Sequence, residues 1–129
     1  METILQLLNE LKFESTKGVP IIVEGQKDVD ALKELGINGN IISAKTSGKS
    51  FVDLLFKLEE QKHKEIILLL DFDRRGKEWT KRLKQSLEQA KIKPNIYFWN
   101  RLKAFLGRDV KDIESLTAYL RTLQKKSGD

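Results

Sequence analysis

The sequence contains no cysteine. A disulfide framework, a thiolate zinc site and a cysteine nucleophile are therefore excluded, and the composition suits a reducing compartment. There is one histidine, His63, in the polar stretch Gln61-Lys62-His63-Lys64. It reads as a solvated surface residue, which disfavours chemistry resting on an imidazole. Only two prolines are present, and no Pro/Gly-rich linker, repeat or low-complexity segment divides the chain. No apolar run approaches the roughly 18 residues that cross a bilayer. Residues 1–11 lack the basic start and apolar run of a signal peptide. The expectation is a cytoplasmic protein without a membrane partner.

The 129 residues predict one domain, 1–129, long enough to bury a core without covalent staples. The net charge of +5 is unevenly spread. Residues 1–73 hold 9 Lys+Arg against 13 Asp+Glu, whereas residues 74–129 hold 15 against 6. An acidic half beside a basic half suits a site where carboxylates hold a cation and Lys/Arg hold a polyanion. Lysine-rich solvated helix faces account for the same balance.

Apolar runs alternate with amphipathic stretches. Helical spacing of Ile4, Leu7, Leu8 and Leu11 predicts a helix over 3–13. Val19–Val23 (VPIIV) is a strand between glycines, and 28–35 reads as a helix ending at Gly36. A weaker strand covers 40–43, and a helix covers 50–61 with Phe51, Leu54, Leu55 and Leu58 on one stripe. Ile66–Leu70 (IILLL) is the clearest buried strand, followed by a basic helix over 77–90. Asn95–Trp99 (NIYFW) reads as a fourth strand, and 110–123 as a closing helix. Uninterrupted apolar strands separated by helices predict an α/β fold. Its parallel sheet, of about four strands, would be covered on both faces.

Ligands in such sheets lie beyond the carboxyl ends of the strands. Glu24 follows VPIIV directly, and Asp71-Phe72-Asp73 follows IILLL. Either Asp28 or Asp73 alone is explained as a helix N-cap. An Asp-x-Asp after an apolar strand is not, because only one of its two acids can cap. Mg²⁺ takes oxygen ligands, commonly one or two carboxylates with phosphate and water. Glu24 facing the pair suits a further ligand or a general acid/base. Basic residues flank the acids: Arg74, Arg75 and Lys77 after the Asp pair, Lys27 after Glu24, and Lys49 after the second strand. A helix N-terminus beside Gly76 would favour the same anions. Trp79 and Trp99 suit either core packing or base stacking.

The segment Glu24-Gly25-Gln26-Lys27-Asp28-Val29-Asp30-Ala31-Leu32 resembles the first motif of the Toprim family. Leu70-Asp71-Phe72-Asp73-Arg74-Arg75-Gly76-Lys77 resembles the second, and Ala44-Lys45-Thr46-Ser47-Gly48 the loop between them. Gly107-Arg108-Asp109-Val110-Lys111-Asp112-Ile113 resembles the family's closing acidic segment. The resemblance runs from about 19 to 116 and implies a Rossmann-like Toprim fold. Toprim domains occur in bacterial-type primases, type IA and type II topoisomerases, OLD-class nucleases, the ribonuclease that matures 5S rRNA, and a recombination-repair protein. The resemblance implies Mg²⁺-dependent phosphodiester chemistry, with Mn²⁺ as a substitute. Glu24 would be the general acid/base and a ligand, Asp71 and Asp73 the metal ligands, and Asp28 a supporting acid.

Length narrows the class. Tyr97, in a predicted core strand, and Tyr119, in the last helix, read as packing residues rather than topoisomerase nucleophiles, and a primase zinc module is missing. A small stand-alone Toprim protein remains, with nuclease-like processing of RNA, slightly favoured over DNA, as the expected activity. The rival is a non-catalytic factor that binds nucleic acid or a protein partner in RNA processing or DNA topology. Two likenesses are set aside. Ser43-Ala44-Lys45-Thr46-Ser47-Gly48-Lys49-Ser50 nearly spells a P-loop but has Ser43 where the first glycine belongs. Asp71-Phe72-Asp73 matches haloacid-dehalogenase phosphatases, yet Arg75 stands where their Thr or Val is expected. The residues leave the number of metals and the oligomeric state open.

Overall fold

A computed structural model describes residues 3–47, 51–106 and 110–126. Lys49 and the Gly48–Ser50 end of the P-loop-like segment lie outside them, as do Gly107, Arg108 and Asp109 of the closing acidic segment.

Four parallel strands form the sheet: β1 (Ile21–Val23), β2 (Ile41–Ser43), β3 (Glu65–Leu69) and β4 (Lys93–Asn95). Their order is β2-β1-β3-β4. Registers place Ile22 between Ile42 and Leu68, and Ile66 beside Pro94. The helices are α1 (Ile4–Thr16), α2 (Gln26–Glu34), the single turn α3 (Ala44–Ser47), α4 (Phe51–Glu60), α5 (Arg74–Gln89), α6 (Tyr97–Leu106) and α7 (Ile113–Lys126).

Strand side chains point alternately to opposite faces, and the core divides accordingly. Ile21, Val23, Ile67 and Leu69 pack with apolar residues of α1, α2, α6 and α7. Ile22, Ile66, Leu68 and Leu70 pack with Leu54 and Leu58 of α4 and Leu83 and Leu87 of α5. Right-handed crossovers explain this partition. The chain moves one way across the sheet from β1 to β2, putting α2 on one face. It moves the other way to reach β3 and β4, putting α4 and α5 on the opposite face. The α/β expectation, with helices on both faces, therefore holds.

The fourth strand is corrected. NIYFW is not a strand: β4 is Lys93–Asn95, and Tyr97 opens α6. Phe98, Trp99, Leu102 and Leu106 are buried at helical spacing, and the Asn95 side-chain oxygen accepts the Tyr97 amide at 3.0 Å to start the turn. A short apolar run does not by itself distinguish strand from helix, and here the following residues decide it. Pro94 is tolerated because β4 is an edge strand. Tyr97 is accordingly 44% exposed and not a core residue.

Candidate metal centre

The chain leaves β1 toward β2 on one side and returns to β3 on the other. Loops after β1 and β3 consequently diverge, opening a crevice at the carboxyl ends of those two strands. Glu24 and Asp71 stand there. Glu24 is 7% exposed, and its Oε2 accepts the Asp71 amide at 3.2 Å, joining positions 47 residues apart. The Glu24 carbonyl accepts the Lys45 amide at 3.1 Å, which ties in the start of α3.

Asp73 is the N-cap of α5, its Oδ1 accepting the Gly76 amide at 2.8 Å. A Cβ on Gly76 would run into the Asp71 carbonyl. Only glycine lets the first turn of α5 close against the strand end. Leu70 just before it is fixed from the other side, where the buried Trp99 Nε1 donates to its carbonyl at 2.9 Å. The Phe72 amide donates to the Lys111 carbonyl at 2.6 Å, bringing in the segment before α7.

Asp28 is 7% exposed. Its Oδ2 accepts the Gly25 amide at 3.2 Å, and its Oδ1 the Glu114 amide at 3.0 Å. It therefore braces the N-termini of α2 and α7 together. Asp112 caps α7 through the Ser115 amide at 2.7 Å. Helix N-termini carry partial positive charge, and those of α2, α5 and α7 offset part of the acidic charge gathered here.

The remaining charge shows in proton affinities. Burial, then Glu24, then Asp28, Asp112 and Asp73, push the Asp71 carboxyl up to about 7. Burial raises Asp28 as well, while the amides of Glu114 and Gly25 pull it down. Among the described residues no three acidic side chains form a ready-made cage for an ion. The donor set nonetheless fits a hard divalent cation, which needs only one or two carboxylates from the protein. A cation beside Asp71 would relieve the repulsion that raises its proton affinity.

The structure thus brings Glu24, Asp71, Asp73 and Asp28 to one end of the sheet. Arg74, Arg75 and Lys77 lie exposed in the first turn of α5, with Arg74 Nε 3.5 Å from Glu78. Lys27 is exposed at the start of α2 and borders the α2–α7 groove. Trp99 is core, and Trp79 is half-buried against the second face. Ala44–Ser47 is already helical, leaving no wrapping loop directly after β2 as a P-loop would need. Sequence reasoning missed the positioning role of Trp99, because it lies on the helix that NIYFW concealed.

A family profile for the Toprim domain matches residues 19–100. The chain belongs to the Toprim domain family. It is 37% identical to a UPF0292 protein of Methanosarcina acetivorans, over 99% of this chain and 87% of that one. It is 38% identical to a UPF0292 protein of Methanocaldococcus jannaschii, over 92% and 91%. A solved structure of an Aquifex aeolicus protein shares the fold with a TM-score of 0.73 at 30% identity, covering 89% of this chain and 99% of that one. Family membership associates the chain with divalent-metal binding and metal-dependent, nucleic-acid-related function. Among the described residues, no helix is long and apolar enough to cross a membrane.

Proposed function

We propose that this protein carries out Mg²⁺-dependent phosphodiester chemistry on nucleic acid, with nuclease-like processing of RNA ahead of DNA. One observation carries the reading. Glu24 reaches across the β1–β3 crevice to the Asp71 amide, beside a carboxyl that burial first and neighbouring acids second push up to about 7. Such a like-charge cluster is costly in a merely structural role and suits a cation site.

Asp71 and Asp73, with Glu24, would hold Mg²⁺ or Mn²⁺. When bound, the ion supplies Lewis-acid stabilisation of charge on phosphate oxygens. Glu24 takes a proton from the attacking oxygen or returns one to the leaving oxygen. Asp28 supports the site by holding α2 and α7 in place. Arg74, Arg75, Lys77, Lys27 and Lys49 supply phosphate contacts, within a single domain over residues 1–129. A cytoplasmic location accords with this assignment.

The test incubates end-labelled structured RNA, single-stranded DNA and duplex DNA with the protein in Mg²⁺, Mn²⁺ or EDTA, beside Glu24→Gln and Asp71→Asn. Expected is metal-dependent cleavage, lost in both variants. The side-chain carbonyl that Glu24→Gln introduces can still accept the Asp71 amide. That variant should therefore fold and bind as before while losing about 10²–10⁴-fold in rate. Salt-sensitive binding without turnover, unchanged in both variants, would replace the catalytic reading with a binding factor in RNA processing or DNA topology.

A further inference from the structure

The helices α4 and α5 lie on one face of the sheet and lead into the neighbouring strands β3 and β4. Their C-terminal ends therefore come together at the amino ends of those strands, opposite the end that carries Glu24 and Asp71. Both helices leave in the same way. Lys62 and Lys91, each two residues past the last helical residue, take the left-handed conformation, with φ of 54° and 62°. The Lys62 amide donates to the Glu59 carbonyl at 3.1 Å and the Lys91 amide to the Glu88 carbonyl at 3.0 Å; the Ile92 amide closes α5 on the Leu87 carbonyl at 2.8 Å. Glycine normally stands at this point of a helix ending, because a Cβ is strained there. Here a lysine occupies it twice.

Two more lysines follow. The Lys93 amide donates to the Lys64 carbonyl at 2.9 Å, so the segments 62–64 and 91–93 run side by side. A groove of about 390 Å³, ample for a phosphate group, is lined by Lys62, Lys64 and Lys91, with Glu59 the acid in its wall. All four lysines are exposed. Glu65, opposite Lys93 in the sheet, accepts the Asn95 side-chain amide at 2.8 Å instead. Among the described residues none of the four lysines has a carboxylate within ion-pair range. A helix C-terminus attracts a cation, which accounts in part for Lys62 and Lys91. It does not account for Lys64 and Lys93, which add like charge at the strand starts.

We propose that this groove is a second nucleic-acid contact, holding backbone phosphate at the far end of the sheet from the metal centre. Lysine meets phosphate as a compact point charge and asks for no particular base. A protein partner would need an apolar anchor at the centre of its interface, and among the described residues none of the exposed large apolar side chains lines the groove. From Glu65 to Asp71 the extended chain rises ~20 Å. That distance equals about six nucleotide steps of a stacked strand. Lys81 stands exposed on α5 between the two ends. One strand of sufficient length therefore reaches both. This assignment rests on the nucleic-acid reading above but not on metal or turnover.

The experiment is done in EDTA, so that catalysis plays no part. Affinity for single-stranded RNA and DNA of increasing length is measured against salt by fluorescence anisotropy. The double variants Lys62→Gln/Lys91→Gln and Lys64→Gln/Lys93→Gln should each lose at least one phosphate contact, about 0.7 in log–log slope on single strands. The control Lys12→Gln/Lys33→Gln removes the same charge from exposed positions on helices of the opposite face and should keep the slope. Wild-type affinity should step up once the strand exceeds about six nucleotides, and the step should vanish when all four lysines are changed to Gln. Lys62→Gly/Lys91→Gly relieves the left-handed strain, so it should melt no lower than the wild type while binding as weakly as the Gln pair. The proposal is overturned if the control loses as much slope as the test pairs, if the length step survives the fourfold change, or if affinity falls only in variants that also melt lower. Binding of polyglutamate through these lysines, by a protein that binds neither RNA nor DNA, replaces the phosphate assignment with an acidic protein partner. Absence of cleavage in the earlier assay, with these results positive, removes the catalytic reading and leaves this site standing. Cleavage with unchanged slopes does the reverse.

Discussion

Asp71→Asn should make the metal-free protein more stable and at the same time remove its affinity for metal. The Asp71 carboxyl is raised from an ordinary 3.8 to about 7 by burial, then by Glu24, Asp28, Asp112 and Asp73. The unfolded chain releases this proton near pH 4, and the folded chain keeps it to about pH 7. The associated stability is therefore fully present below pH 4 and lost as pH rises through 7. At full value a rise of this size corresponds to about 4 kcal/mol. Solvent screening at a half-buried side chain reduces that to roughly 1–2 kcal/mol. For a chain of this length the variant should then melt ~3–10 °C higher at pH 8 in EDTA. The gap should close toward pH 4. Glu24 accepts its hydrogen bond from the main-chain amide of residue 71, so the substitution leaves that contact in place. Adding Mg²⁺ at pH 8 should raise the melting temperature of the wild type and not of the variant. Thermal denaturation followed by circular dichroism reads all of this. A variant less stable than wild type at pH 8 in EDTA, or a difference that ignores pH, would refute the reasoning.

Three further outcomes are expected. Gly76→Ala drives a methyl into the Asp71 carbonyl and should cost about 1–3 kcal/mol as overpacking, seen as a lower urea midpoint with a matching loss of metal affinity. Trp99→Phe leaves the Leu70 carbonyl without its indole donor. It should destabilise by roughly 1–3 kcal/mol, and amide hydrogen exchange at residues 70–72 should quicken more than in the opposite core face. Asp73→Asn keeps an effective N-cap, because Asn and Asp cap comparably. Calorimetric titration should show it losing Mg²⁺ affinity by about tenfold, ~1.4 kcal/mol, and less than Asp71→Asn does. The reverse order would make Asp73 the principal ligand.

The strands β1 and β3 and the acids after them were legible because both strands are uninterrupted apolar runs flanked by turn residues. Glu24 and Asp71 end such runs, and the strand-end rule located them without any knowledge of their partners. The run NIYFW failed for a physical reason. Tyr97–Trp99 have aromatic side chains suited to a buried strand, and only Leu102 and Leu106, a turn and two turns later, reveal the helical face. That error also hid the hydrogen bond by which the Trp99 indole fixes the Leu70 carbonyl. The α5 boundary was set three residues late because Arg74-Arg75-Gly76 contains a poor helix former. Its glycine is there for a close approach of backbone rather than for helix propensity. Long-range contacts were beyond reach altogether: nothing local to Asp28 announces that its second oxygen holds the amide of Glu114.

The acids at the crevice separate into two kinds by what their oxygens already do. Asp28, Asp73 and Asp112 each accept helix-terminal amides, so part of their charge is met by the dipoles they hold. Among the described residues, the Asp71 carboxylate accepts no hydrogen bond. It is also the group whose proton affinity burial, and then its acidic neighbours, raise to about 7. Capping explains the first three without any ligand, and it leaves Asp71 unexplained. A protein gaining only stability from this corner would replace Asp71 with a neutral residue, since strand and helix packing are carried by its backbone and by Gly76. Retaining a carboxylate there, pinned between Glu24 and the α5 N-terminus, favours a site arranged around a cation that these side chains are left to hold.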